Sequence, residues 1–454
     1  MKTYAKHFLA ACTLTGLFLC SLVACTPPPG EKAPATAASK ERKSEAATQP
    51  PTATNGLEIQ PTRQGELQKV PFDPQGNPKY NFKEIKNFSE IDPIVFQDEL
   101  KEGEFLLVAD QYQLDHFQGA QKSFPENKHQ STLASYNLKE NSLTYLEQTK
   151  DPQAFIALAR STQDYLVWLE APSLEFNDVS VWKLMVKDLK DGSIQQLKEV
   201  HFDNQEEAIR EKPVDRFPES LLIHKDRCYL IYPLFEGKNW YSCIAYIDLK
   251  SGAETILEKT DIGDAMHAQL SVEKTEGKTI LWNRLSEVNQ DPTARTYYKI
   301  CAICSHDPAD QDKYKVVADD NYYFSPLQYG DSYYAIQSVV NPKAPKMPKQ
   351  IIVEFKNGQK RPLIDYELSS SSAEEISYSL FYLAGNKRFM GVQQSGGLPI
   401  LYEPATGKLV EISDYEVDPK GYYQLVNLFD HYAFFRLPSD DPDVGNFSVL
   451  HLPE

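Results

Sequence analysis

The side chains best suited to covalent or metal chemistry in the folded part of the chain are four cysteines: Cys228, Cys243, Cys301 and Cys304. Cys228 and Cys243 flank a predicted hairpin turn at residues 236–239, which makes a cross-strand disulfide a candidate, although such a turn would pair Cys228 nearer Ile247. Cys301 and Cys304 stand three residues apart in a predicted strand, where their side chains face opposite sides. Disulfides among the four, buried free thiols and a four-thiolate zinc site are the alternatives, and zinc is the least favoured of them.

Sequence motifs of catalysis are absent. The nine histidines are scattered without a His-Glu-x-x-His or other ligand spacing, and the chain has no Gly-x-Ser-x-Gly nucleophile turn. Gly277-Lys278-Thr279 lacks the upstream glycine of a phosphate loop, and the acidic stretches at 307–312 and 440–443 are typical of solvated loops rather than calcium sites. We therefore predict no catalytic residue, no cofactor and no metal, and enzymatic activity is the less favoured alternative.

The N-terminus has the build of an export signal. A basic start at residues 1–7 is followed by an uncharged apolar run from Phe8 to Ala24. The run ends Leu22-Val23-Ala24-Cys25, which resembles the lipobox of bacterial lipoproteins. The resemblance implies that the Cys25 thiol carries a diacylglyceryl group and that signal peptidase II cuts before it; the alternative is a signal anchor in which Cys25 is incidental. Thr26 resembles the residue found in lipoproteins that are not retained at an inner membrane, so an outer membrane is expected if the cell has two.

A spacer follows the predicted lipid anchor. Residues 26–55 are rich in Pro, Ala, Thr, Ser, Glu and Lys and contain almost no large apolar residue, so they cannot bury enough surface to fold. A chain of roughly 30 such residues spans on the order of 30 Å. The predicted organisation is a signal peptide at 1–24, a lipidated cysteine and spacer at 25–55, and one folded domain at 56–454, attached to the extracytoplasmic face of a membrane by the lipid.

The sequence of the folded domain predicts an all-β structure. Its apolar runs are short, rich in Val, Ile, Tyr, Phe and Leu, and bounded by Gly, Pro, Asn or Asp. A strand, a polar turn and a second strand recur, most clearly around Asp188-Leu189-Lys190-Asp191-Gly192 and Asp248-Leu249-Lys250-Ser251-Gly252, with weaker copies at 135–141, 353–358 and 401–407. The turn residues supply the positive φ of a tight hairpin. Two further strands precede each copy, which predicts units of four strands.

Seven middle strands can be counted along the chain: 105–109, 165–169, 228–232, 279–283, 333–337, 388–392 and 432–435. The inner strands are expected near Ile94, Phe155, Leu221, Met266, Tyr322, Tyr378 and Tyr423. The last unit is one strand short, and Tyr80–Ile85 is a spare strand at the other end. We therefore predict a seven-bladed β-propeller of four-stranded antiparallel blades, its ring closed by the N-terminal strand. A pair of β-sandwiches is the rival, but it does not predict the matched turns.

The repeat is similar in pattern, though not in motif, to the extracytoplasmic propellers of the TolB and quinoprotein families. Neither the Trp-Asp repeat of WD40 proteins nor the Ser-x-Asp-x-Gly-x-x-Trp box of sialidases is present. Adjacent tyrosines stand at 297–298, 322–323, 333–334 and 422–423. Some of these rings should reach the surface, where they can stack on sugars or anchor a protein, although Tyr also fills half-buried strand positions well.

The leading hypothesis is a lipid-tethered, non-enzymatic binding or scaffolding module whose partner is a protein or glycan of the cell envelope. The alternatives are a polysaccharide lyase or glycosidase whose carboxylates converge only in three dimensions, and a sensor of a solute or redox cofactor. A net charge of −17 disfavours nucleic acid as a partner.

Overall fold

The structure of the chain is a computed structural model. It describes residues 96–109, 120–122, 131–140, 142–151, 154–172, 181–202, 218, 220–237, 239–262, 266–271, 279–289, 298–309, 313–339, 349–364, 381–394, 400–411, 424–437 and 446–452. Every regular element among these residues is a β-strand, and there are 28 of them in six sheets. The all-β prediction is confirmed, and the sheets are the blades of a propeller.

The first three sheets follow one another along the chain. Sheet 1 has the spatial order β1-β2-β4-β5-β3 and consists of β1 (Phe96–Lys101), β2 (Glu104–Ala109), β3 (Ala120–Lys122), β4 (Thr132–Asn137) and β5 (Ser142–Gln148). Sheet 2 consists of β6 (Phe155–Ser161), β7 (Tyr165–Ala171), β8 (Val181–Asp188) and β9 (Ile194–His201). Sheet 3 consists of β10 (Ser220–His224), β11 (Arg227–Glu236), β12 (Asn239–Asp248) and β13 (Glu254–Asp261).

The remaining sheets differ in size. Sheet 4 has eight strands: β14 (Met266–Ser271), β15 (Ile280–Asn289), β16 (Tyr298–His306), β17 (Tyr314–Ala318), β18 (Tyr322–Tyr329), β19 (Ser332–Val339), β20 (Lys349–Lys356) and β21 (Gln359–Ile364). Sheet 5 consists of β22 (Phe381–Gly385), β23 (Met390–Gln394), β24 (Ile400–Glu403) and β25 (Lys408–Glu411). Sheet 6 consists of β26 (Gln424–Leu428), β27 (Tyr432–Leu437) and β28 (Asn446–His451).

The prediction of seven separate blades is wrong, because the described strands form six sheets. All seven predicted middle strands are present, as β2, β7, β11, β15, β19, β23 and β27. However, β16 and β18 pair in parallel at Cys301 and Tyr322, and this pairing joins eight strands into one sheet. The predicted closing strand at Tyr80–Ile85 lies outside the described residues.

Burial explains why the middle strands are continuous apolar runs. All seven residues of Tyr165–Ala171 in β7 are buried, whereas the outer strand β9 alternates between half-buried and exposed positions. A strand covered by neighbouring sheets on both faces has no solvent side and so needs no polar alternation. Sheet 2 packs on sheet 3 in this way, through a shared core that includes Val167, Trp182, Leu230 and Ala245.

The same stacking brings the two ends of the described chain together. Phe96 and Phe105 of sheet 1 pack against Phe434 of sheet 6, with ring centroids 5.2 and 5.0 Å from it. The Asn427 side-chain amide donates a 3.3 Å hydrogen bond to the Phe96 carbonyl across this seam. Within the described residues, sheets 1 and 6 therefore meet through side-chain packing.

Candidate functional site

The repeated turn between the third and fourth strands of a sheet is held by its aspartate. In sheet 3, Asp248 Oδ1 accepts hydrogen bonds from the Ser251 backbone N–H at 2.8 Å and from the Ser251 hydroxyl at 2.7 Å. These bonds hold the pKa of Asp248 below its usual range. In sheet 2, Asp188 Oδ1 accepts from the Lys190 backbone N–H at 2.7 Å. The turns close on Gly192 and Gly252, whose φ values are 75° and 71°, as the predicted hairpins require.

The leucine that follows the aspartate of the motif connects this turn to the turn between the first and second strands. The Leu249 backbone N–H donates a 2.8 Å bond to the Asp226 carbonyl, and the Leu189 N–H donates a 2.8 Å bond to the Asp164 carbonyl. Leu138 binds the Gly103 carbonyl in the same way at 2.8 Å. The lysine of the motif forms an ion pair across the same two turns. Lys190 lies 2.9 Å from Asp164, and Lys250 lies 2.7 Å from Asp226.

Two copies of the motif form the walls of a cleft between sheets 2 and 3, which we call the interblade cleft. Its volume is 150 Å³, and it is lined by Tyr165, Val186, Asp188, Asp191, Ser193, Gln195, Leu249 and Lys250. Sheet 2 supplies the first six of these residues, and the turn of sheet 3 supplies the other two. Val186 and Leu249 belong to the core between the sheets, so the cleft has an apolar floor and polar walls.

Tyr165 is the most enclosed polar residue of the interblade cleft. The residue is only 5% exposed, because its ring belongs to the core between sheets 2 and 3, whereas its hydroxyl is accessible to solvent. Burial raises the pKa of its hydroxyl, and the Lys250 charge acts in the opposite direction. The hydroxyl makes no hydrogen bond to another residue of the described part of the chain. It is therefore a donor and an acceptor that a ligand can use.

The other polar walls are fixed by the turn. Asp191 Oδ1 accepts from the Ser193 backbone N–H at 2.8 Å, and hydrogen bonds from Ser193 lower the pKa of Asp191, which keeps it ionised. Gln195 lies on β9, is exposed and lines the cleft. Together, Asp188, Asp191 and Lys250 give the lining a net charge of −1.

A second cluster of polar side chains between sheets 2 and 3 consists of Lys198, Glu254 and Tyr232, which bind one another. Lys198 of β9 lies 2.7 Å from Glu254 of β13, and the Tyr232 hydroxyl donates a 2.7 Å bond to the same carboxylate. The Lys198 ammonium also lies 4.6 Å from the centroid of the Tyr232 ring. These contacts connect sheet 2 to sheet 3, and they occupy the Glu254 carboxylate and the Tyr232 hydroxyl.

Two further carboxylates, Glu354 and Glu258, are paired with arginines. Glu354 is 2% exposed and accepts hydrogen bonds from Ser332 Oγ at 2.9 Å, from the Tyr334 hydroxyl at 3.1 Å and from Arg361 Nε. Burial raises its pKa, but the bonds from Arg361 and Ser332 outweigh that effect and the pKa is lowered. Glu258 lies 2.8 Å from Arg284 and connects sheets 3 and 4.

Cys228, Cys243 and Cys304 are buried thiols that lie outside any disulfide bond in the structure. The strand register explains this, because Cys228 stands opposite Ile247 and Cys243 stands opposite Tyr232. Burial raises the pKa of Cys243 and of Cys304 to about 12. Cys301 lies in β16, and its side chain is outside the described residues.

Two of the tyrosine pairs lie where the structure describes them. Tyr323 is fully buried and its hydroxyl donates a 2.5 Å bond to Asp320, while Tyr334 is 2% exposed and bonds to Glu354. One ring of each pair therefore fills the core, as the half-buried strand interpretation predicts. The pairs at 297–298 and 422–423, like Cys25, have side chains outside the described residues.

Among the described side chains, no group of three or more His, Cys, Asp or Glu residues is placed to hold a metal ion. The part of the chain with described structure also contains no helix long and apolar enough to cross a membrane. Sequence reasoning singled out the two Asp-Leu-Lys turns but missed the cleft between them. No sequence pattern signals the cleft, because it depends on how consecutive sheets stack.

Neither a known family model nor a curated protein matches the sequence. Among solved structures, the chain is similar to the β-propeller domain of the Trilobed protease from Pyrococcus furiosus, with a TM-score of 0.45 and 11% identity over 78% of this chain and 94% of that one. It is also similar to the acylaminoacyl peptidase of Pyrococcus horikoshii, with a TM-score of 0.44 and 11% identity over 78% of this chain and 50% of that one.

A third similar structure is the oligogalacturonate lyase of Vibrio parahaemolyticus, with a TM-score of 0.42 and 10% identity over 79% of this chain and 90% of that one. At this identity and TM-score, the likeness carries no inference about activity.

Proposed function

We propose that the chain is a lipid-tethered, extracytoplasmic propeller that binds a protein or glycan of the cell envelope without chemically changing it. The observation that carries the proposal is the interblade cleft, where Tyr165 has a buried ring but a solvent-accessible hydroxyl with no hydrogen-bond partner within the described structure. A concave site that contains a hydrogen-bonding group not used within the fold can bind a ligand that supplies the partner.

Glu99 and Glu170 have pKa values raised by burial, but neither residue lines the interblade cleft. Three other carboxylates are held as fixed charges. A general acid or base must be within hydrogen-bond reach of the substrate and must carry a pKa suited to proton transfer. Glu354 and Asp191 have lowered pKa values and are held by hydrogen bonds from neighbouring residues, and Glu258 is paired with Arg284. Such groups serve as fixed charges and hydrogen-bond acceptors.

The tether is part of the proposal. Cys25 and the spacer at 26–55 would hold the propeller within tens of ångströms of the membrane, where envelope polymers are concentrated. The test is cell fractionation with mass spectrometry of the N-terminal peptide. We expect a diacylglyceryl-modified Cys25 in the membrane fraction and release of a Cys25→Ala variant from it. An unmodified Cys25 in the membrane fraction would contradict the tether.

Binding itself is tested by immobilising the full chain and exposing it to solubilised envelope proteins and polysaccharides. We expect one class of molecule to be retained in stoichiometric amount. Release of shortened polysaccharide or of unsaturated sugar ends would favour the alternative, a polysaccharide lyase or glycosidase.

A further inference from the structure

We propose that the interblade cleft binds one neutral sugar unit of an envelope glycan. This inference rests on the proposed function, whose ligand class it narrows from protein or glycan to an uncharged glycan. It is carried by three properties of the cleft: its mixture of hydrogen-bond donors and acceptors, its net charge and its size.

The cleft offers donors and acceptors in close succession. The Tyr165 hydroxyl can donate and accept, the Gln195 amide has two donor hydrogens and an acceptor oxygen, and the Lys250 ammonium has hydrogens beyond the one directed at Asp226. Asp188 and Asp191 each use Oδ1 for a backbone N–H of their own turn. A sugar carries hydroxyl groups that both donate and accept, and so it can satisfy both kinds of group.

The charge of the lining selects against anions. Two carboxylates, Asp188 and Asp191, face one ammonium, that of Lys250, and this ammonium is already 2.7 Å from Asp226. A carboxylated, sulfated or phosphorylated sugar would meet like charge at short range. A small cation is also disfavoured, because Lys250 stands in the same lining.

The size of the cleft fits one ring. Its volume is 150 Å³. Sites for larger ligands usually occupy about 300 to 1,000 Å³. Val186 and Leu249 provide an apolar floor against which the C–H face of a sugar ring can pack, while the walls bind its hydroxyls.

The test is ligand-observed NMR titration of the full chain in a sugar-free detergent. The probes are D-glucose, D-galactose and D-mannose, with D-glucuronate and D-galacturonate as charged counterparts that differ only at C6. We expect at least one neutral sugar to bind, and its uronate to bind about tenfold more weakly or worse.

Tyr165→Phe keeps the buried ring and removes only the hydroxyl. It should weaken neutral-sugar binding about threefold to tenfold, the effect of one lost hydrogen bond. Tyr241→Phe is the matched control, because the Tyr241 hydroxyl accepts a 3.4 Å bond from the exposed Asn239 and does not line the cleft. Gln195→Ala is a second test variant, because Gln195 is exposed and its replacement does not disturb the core. It should also weaken neutral-sugar binding.

Asp191→Asn should reduce the difference in affinity between galactose and galacturonate, because it removes one of the two carboxylates that repel the uronate. Binding by none of the neutral sugars, or equal binding by wild type, Tyr165→Phe and Gln195→Ala, would overturn the inference. If an envelope partner is nevertheless retained equally by wild type and both variants, the proposed binding function stands and only the cleft assignment fails. If the protein cleaves the glycan, the proposed function fails instead.

Discussion

Lys250 Nζ lies 2.7 Å from Asp226 Oδ2, and Lys190 Nζ lies 2.9 Å from Asp164 Oδ1 at the equivalent place in the preceding sheet. In each sheet the pair connects the turn between the third and fourth strands to the turn between the first and second. The repeated Asp-Leu-Lys motif is thus explained by the assembly of a blade edge. The interblade cleft is formed because two such edges lie next to each other.

The leucine of the motif provides a matched comparison of burial. Leu249 is 2% exposed in the core between sheets 2 and 3, whereas Leu189, at the same motif position, is 43% exposed. We expect Leu249→Ala to lower the free energy of unfolding by about 2–5 kcal/mol and Leu189→Ala by no more than about 0.5 kcal/mol. Urea denaturation of the two variants measures the difference. Equal losses would show that Leu249 does not hold the sheets together.

The contact between sheets 5 and 6 depends on a glycine, Gly391, which leaves room for two leucines of sheet 6. A Cβ at Gly391 would lie 2.5 Å from Leu425 Cδ2 and 3.3 Å from Leu428 Cδ2. Because both leucines are buried, Gly391→Ala should lower the free energy of unfolding by about 1–3 kcal/mol through overpacking. The double variant Gly391→Ala/Leu425→Ala is the control, and its loss should be smaller than the sum of the two single losses. Strict additivity would contradict the close approach of Gly391 to Leu425.

Acid should weaken the fold through Glu354. Its pKa in the folded protein lies below the ordinary value of 4.5, so its contribution to stability is present above pH 4.5 and is lost as the pH falls through the folded pKa. We expect Glu354→Gln to cost about 1–3 kcal/mol at pH 7. Urea unfolding at pH 7 and pH 3 should show a larger acid-induced loss in wild type than in Glu354→Gln. A pH dependence that the variant leaves unchanged would mean that Glu354 is not the titrating group.

The buried thiols should be unreactive in the folded protein. Burial raises the pKa of Cys243 and Cys304 to about 12, so almost no thiolate is present at pH 8. Iodoacetamide should label the two cysteines in guanidinium chloride but not in native buffer, as peptide mass spectrometry can establish. A non-reducing digest containing a linked Cys228 and Cys243 peptide would contradict the register of β11 and β12.

Much of the local structure could be predicted from the sequence. The turn at 236–239 implied that Cys228 would pair near Ile247, and the two residues are register partners. Local pattern was sufficient here because a tight turn fixes the register of both its strands. The blade count failed because the pairing of Cys301 with Tyr322 is a contact between consecutive units, and alternation within a strand contains no information about it.

The interblade cleft could not be predicted in this way. Tyr165 opens a middle strand and has the sequence environment of a core residue, and its ring is indeed in the core. The cleft beside this ring is completed by Leu249 and Lys250 of sheet 3, which the stacking of the sheets places there. That stacking depends on contacts between residues far apart in the chain, which single-sequence patterns do not report.

The central claim is that the chain binds an uncharged glycan and leaves it intact. The most direct test is to recover the ligand after prolonged incubation with the wild-type protein and to measure its mass distribution by mass spectrometry. We expect a mass distribution identical to that of the starting material. We also expect the protein to retain the ligand in stoichiometric amount, and Tyr165→Phe to weaken this retention while Tyr241→Phe leaves it unchanged. Shortened chains or new unsaturated ends in the recovered ligand would contradict the claim.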